Sequence, residues 1–75
     1  MNIEDTNKIS NLDVLNTECN FKILELEGIN LDDDWSKLSK LKNLETLILK
    51  DSYIDFKKFY NAIFSLKKLN KLRLN

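Results

Sequence analysis

The fold class predicted for this chain is a small α/β repeat: a short solenoid of strands alternating with short helices, with a cap at its N-terminal end. Three observations predict it. The pattern apolar-x-x-Leu-x-Leu occurs at Phe21, Leu44 and Leu69, so that its copies start 23 and 25 residues apart. That spacing falls within the roughly 20–29 residues of one repeated supersecondary unit. Within each unit the apolar period also changes, from three or four residues, which paints a stripe on a helix, to two, which points alternate side chains to one face of a strand.

The elements follow in order. In residues 1–20, Ile9, Leu12 and Leu15 fall on one face of a short helix starting after Asp5 or Thr6, and this segment is expected to cap the array. Cys19 is expected to pack there as a small apolar group, since no second cysteine and no histidine exist to make a site with it. The repeats occupy residues 21–75, with units starting near 21, 44 and 69 and the last one incomplete. Leu24 and Leu26, Leu47 and Leu49, and Leu72 and Leu74 supply the period-two tails of three strands. Between them, Trp35, Leu38, Leu41 and Leu44 form one helical stripe and Phe56, Phe59, Ile63 and Leu66 another.

The stretch LKNLETLILK, Leu41 to Lys50, is therefore a junction, with a helix ending near Asn43 and a strand starting near Glu45. The competing reading is one long amphipathic helix through Leu38, Leu41, Leu44 and Ile48, and it leaves Leu47 and Leu49 on the wrong faces. Asp32, Asp33 and Asp34 precede one helical stripe and Asp55 the other. A carboxylate at such a place caps the orphan N–H groups of the first turn and suits the positive end of the helix dipole. As a calcium loop, the run DDDW lacks the glycine and distal glutamate that the chemistry requires.

These units resemble the leucine-rich repeat family, whose pattern is LxxLxLxxNxL followed by a variable segment. Phe21, Leu24, Leu26, Ile29 and Leu31 fill the pattern once, Leu44, Leu47, Leu49, Ser52 and Ile54 a second time, and Leu69, Leu72 and Leu74 in part. The chain departs from it at the asparagine position, where Ile29 and Ser52 stand. The resemblance implies a parallel sheet on the concave side and short helices on the convex side. It also implies a binding surface made of the outward strand residues: Ile23, Glu25 and Glu27, then Thr46, Ile48 and Lys50, then Lys71, Arg73 and Asn75. Aligned register puts Glu25, Ile48 and Arg73 in one row, grading from acidic to basic, with Glu27 placed to pair with Lys50.

Composition narrows the function. With 75 residues, 43% of them apolar, the chain is at most one domain with a small core. One cysteine and no apolar run of signal-peptide or membrane-span length lead to the expectation of a cytoplasmic protein with no membrane partner. No histidine and a single glycine leave no Ser-His or Cys-His pair, no glycine-rich phosphate loop and no histidine metal site, so neither an enzyme nor a cofactor is expected. The zero net charge conceals a split, with nine acids against two lysines in residues 1–34 and ten cations against three acids in residues 35–75. Segregated charge accompanies nucleic-acid, membrane or self-association, or is simply solvated surface. Lys57, Lys58, Lys67, Lys68, Lys71 and Arg73 lie among Phe59, Tyr60 and Phe64, as in nucleic-acid binders. Helical period turns Phe59 inward, however, and the acidic half repels phosphate.

The expected activity is therefore protein binding through the outward strand residues. The alternative is a self-assembling segment, or a piece of a longer array, that oligomerises through the open edge at Leu72 and Leu74.

Overall fold

The computed structural model describes residues 6–74. It is a small α/β structure built on a four-stranded sheet in the order β1-β2-β3-β4: Thr6–Ile9, Ile23–Glu27, Thr46–Lys50 and Lys71–Leu74. All neighbours pair in parallel. One α-helix, α1 (Phe56–Ile63), and two short 3-10 helices, Leu12–Val14 and Trp35–Lys40, make up the connections.

The first strand was not expected; the cap reading also covers residues 1–5, which lie outside the described residues. Thr6 pairs with Ile23 and Ile9 with Leu26, so residues 6–9 form a strand rather than the first turn of a helix. Ile9 and Leu12 stand in the places of Leu26 and Ile29, and Leu12 is as buried as Ile29. Asn7 stands in the place of Leu24, which interrupts the leucine pattern, and its Nδ2 donates to the Ile23 carbonyl at 3.4 Å. Register partners in successive pairs stand 17, 23 and 25 residues apart, at Thr6 and Ile23, Ile23 and Thr46, and Thr46 and Lys71. The shorter first interval is a second reason that the unit escapes a period search.

The two longer connections differ because their apolar spacings differ. Trp35, Leu38, Leu41 and Leu44 are each three residues apart, the 3.0-residue period of a 3-10 helix, and all four are buried. The 3-10 helix Trp35–Lys40 starts from Asp34, whose carboxylate accepts the Ser36 N–H at 3.1 Å. The Ser39 hydroxyl donates to the Ser36 carbonyl at 2.7 Å, a local bond that competes with regular helix. The expected helix thus ends at Lys40 rather than near Asn43, and single turns through Leu41 and Leu44 lead into β3. In the next connection the buried positions Phe59, Ala62 and Leu66 are separated by three and four, and a true α-helix forms with Asp55 accepting the Lys58 N–H at 3.3 Å.

Two residues assigned inward by pattern face solvent instead. Leu31 and Phe56 are about half exposed, at 48% and 52%. Leu31 falls in the turn before the Asp cap, and Phe56 is the first residue of α1, where its ring rests 5.9 Å from that of Tyr60. Ala62 takes the place on the core that the stripe reading leaves unfilled. The core itself joins the strand leucines Leu24, Leu26, Leu47 and Leu49 to Ile29, Leu38 and Phe59, with Trp35 meeting Phe59 edge to face at 5.5 Å. Cys19 packs partly buried against this cluster.

The turns that leave the strands share one device. Gly28 and Asp51 both have positive φ, 75° and 49°, one residue past the paired positions Glu27 and Lys50. Above them the Ser52 hydroxyl accepts the Ile29 N–H at 3.1 Å and donates to the Lys50 carbonyl at 2.9 Å. Gly28 N–H donates to the Lys50 carbonyl and Tyr53 N–H to the Ile29 carbonyl, at 3.1 and 2.8 Å. Ser52 thus ties the two turns together through one hydroxyl. The opposite ends of the strands carry a second tie, in which Asn43 Nδ2 donates to Asn20 Oδ1 and Lys68 Nζ to Asn43 Oδ1.

Candidate functional site: the open face of the sheet

Strand alternation sends Leu24, Leu26, Leu47 and Leu49 to the core and leaves the intervening side chains on the opposite face. Two rows cross that face. Thr6, Ile23, Thr46 and Lys71 form one, and Lys8, Glu25, Ile48 and Arg73 the other. Glu27 and Lys50 begin a third. The row of Glu25, Ile48 and Arg73 is therefore as expected, and Asn75 lies outside the described residues.

The electrostatic pattern differs from the expected gradient. Because β1 joins the sheet, the acidic strand β2 is not its edge: Lys8 and Lys50 flank Glu25, with their Nζ atoms 4.0 and 3.5 Å from its Oε2. Lys50 thus pairs with Glu25 rather than with Glu27, its direct partner in register. Glu25 is only 7% exposed although it sits on the open face, where it lies between Lys8 and Lys50. The lysines themselves remain well exposed, so the pairs add little stability. Ile23 and Ile48 are half-buried among these neighbours. On β4, Lys71 and Arg73 are exposed, and neither has an ion-pair partner among the described residues. Leu72 and Leu74, the inward residues of this outer strand, are 38% and 48% exposed.

Thr6 and Lys8 belong to this face but carried no repeat signal. The sequence trace of their strand was the three-residue step from Ile9 to Leu12, which repeats the step from Leu26 to Ile29.

Elsewhere, an open groove of about 410 Å³ lies between the 3-10 helix Trp35–Lys40 and α1, lined by Asp32, Asp34, Ser36, Ser39, Lys58 and Asn61 among others. Two of its three carboxylates are committed to local structure. Asp33 accepts the Asn30 N–H at 2.8 Å, and Asp34 accepts both the N–H and the hydroxyl of Ser36, which holds its carboxyl below the ordinary aspartate range. Among the described residues no group of three His, Cys, Asp or Glu side chains is placed to hold a metal ion. The cations of the second half are dispersed. Lys57 and Lys58 are on α1, Lys67 lies over the Phe64 ring at 5.7 Å, Lys68 reaches Asn43, and Lys71 and Arg73 are on the open face. Phe59 is fully buried, while Tyr60 and Phe64 are exposed. No helix among the described residues is long and apolar enough to cross a membrane.

The open face, with Ile48 near its centre and charged side chains on both sides, is thus the surface on which the sequence-predicted residues converge. Compared with protein-family models, curated proteins and solved structures, the chain shows no significant match.

Proposed function

We propose that this chain is a protein-interaction module of the leucine-rich-repeat kind, a short solenoid that binds a protein partner on the open, concave side of its sheet. The residues assigned to the contact are Ile23, Glu25, Glu27, Thr46, Ile48, Lys50, Lys71 and Arg73. The observation that supports it is the register, which sets the half-buried Ile48 between Glu25 and Arg73 in one row. An apolar centre within a charged rim is how interfaces concentrate their binding energy. Recognition would rest on a surface preformed at β2 and β3, because the inward leucines of these two strands belong to the core. Burying Ile48 supplies apolar contact, and the Glu25 carboxylate with its two lysines selects for charge.

The test is the substitution Ile48→Asp. Proteins captured by the wild-type chain and identified by mass spectrometry should be lost with the variant, while its circular dichroism and melting temperature stay near those of the wild type. Unchanged capture by a folded Ile48→Asp protein refutes the assignment.

A further inference from the structure

Beyond the open face, we propose that the outer edge of β4 is a strand-addition site for an extended acidic segment of a partner, in which leucine-like residues alternate with glutamate or aspartate. Three features of the edge point to that chemistry. The row that buries Leu24 and Leu47 completely leaves Leu72 38% exposed, and the row that buries Leu26 and Leu49 leaves Leu74 48% exposed. A further parallel strand with apolar residues in these two rows would cover both leucines and pair the free edge of the backbone.

The outward residues of β4 set the charge of that strand. Lys71 and Arg73 flank Leu72 on the open face and have no carboxylate partner among the described residues. The sheet already contains the complementary arrangement: in β2, Leu24 and Leu26 face the core while the Glu25 carboxylate faces the lysines of both neighbouring strands. A strand patterned like Ile23–Glu27 therefore fits beside β4 as β2 fits beside β1, where Glu25 lies opposite Lys8.

A second copy of the chain fits less well. In parallel continuation, β1 of the next copy would bring Lys8 against Arg73 and put Asn7 in the leucine row of Leu72. Antiparallel pairing of two β4 strands would oppose Lys71 and Arg73 to their own equivalents. Like charges directly opposite one another are destabilising in both cases.

The probe is a labelled synthetic peptide with the sequence of residues 21–30, FKILELEGIN, titrated with the intact chain by fluorescence anisotropy. A second peptide carries Glu25→Lys and Glu27→Lys, and a third has the composition of the first with the alternation broken. The wild-type chain should prefer the acidic peptide to the lysine peptide by at least about threefold, the effect of one cross-strand charge pair, the peptide's Glu25 opposite Arg73, turned from attraction to repulsion. The double variant Lys71→Glu/Arg73→Glu should invert that preference, and Ile23→Asp, on a strand that does not adjoin β4, should leave it unchanged, which separates this edge from the open-face reading. Binding weaker than about 1 mM, equal binding of the broken-alternation peptide, or a preference that does not invert would each overturn the proposal. So would a dimer of the chain alone, detected by light scattering and dissociated by the same double variant, since a second copy would then be the occupant.

Discussion

Replacing Ser52 with alanine removes one oxygen that serves two turns. The hydroxyl accepts the N–H of Ile29, a fully buried residue, at 3.1 Å and donates to the Lys50 carbonyl at 2.9 Å. The two losses are unequal. The Lys50 carbonyl keeps the Gly28 N–H at 3.1 Å, whereas the Ile29 amide is left inside the protein without this acceptor. Leaving a buried donor unsatisfied costs about 1–3 kcal/mol, so Ser52→Ala is expected to destabilise the chain within that range. In a domain of this size that lowers the melting temperature by roughly 4–8 °C for each kcal/mol. Trp35, the single tryptophan, is buried against Phe59 and reports unfolding by its fluorescence in a urea titration. Ser52→Asn restores an acceptor and a donor at the same place and should recover most of the loss. A Ser52→Ala protein no less stable than an exposed control such as Ser10→Ala would show that the bridge contributes nothing and refute the reasoning.

Other outcomes follow from the same geometry. Gly28→Ala should cost about 1–2 kcal/mol, because φ is +75° there while nothing lies within 4 Å of an added Cβ, so the cost is backbone strain alone. An unchanged urea midpoint would contradict it. Phe59→Ala should cost about 3–5 kcal/mol and broaden or abolish the unfolding transition, since it removes the ring packed on Trp35 at the core of a chain with little stability in reserve. A sharp transition at the wild-type midpoint would count against the core as drawn. The Ser36 bonds hold the Asp34 carboxyl below its ordinary value, so its contribution is present above about pH 4 and is lost as pH falls through the lower folded value. The stability difference between wild type and Asp34→Ala should therefore shrink below about pH 4, and a difference independent of pH would exclude the cap as its source.

The junction in LKNLETLILK was legible because a switch of period leaves a mark in any single sequence. Leu47 and Leu49 sit two apart immediately after a run spaced by threes, and β3 begins at Thr46, one residue from its expected start. The caps at Asp34 and Asp55 were legible for a similar reason, since a helix start is a local event. The kind of helix was partly written in the spacing as well. A strict step of three in Trp35, Leu38 and Leu41 is the 3-10 period, and mixed steps of three and four in Phe59, Ala62, Ile63 and Leu66 are the α period. What failed was the fate of residues at the ends of elements. Leu31 and Phe56 match the pattern, yet each falls where the chain turns, and a match in spacing does not say which neighbour arrives to cover a side chain.

Sequence by itself determined the division of the side chains of β2, β3 and β4 between core and open face, because it follows from a period-two pattern repeated at nearly constant intervals, while their parallel pairing was what the family resemblance implied. It also determined the row of Glu25, Ile48 and Arg73. Only the tertiary structure decided that residues 6–9 form a fourth strand. An asparagine in a leucine position and a shortened interval conceal that strand from pattern, while the unpaired edge of β2 is satisfied by it. That one strand changed the charge of the face: it brought Lys8 beside Glu25, turned an expected acidic edge into a shielded carboxylate between two lysines, and left the basic strand β4 at the other edge with two half-covered leucines. Charge on a sheet is set by which strands become neighbours, and neighbours are chosen by backbone pairing and core packing across the whole chain.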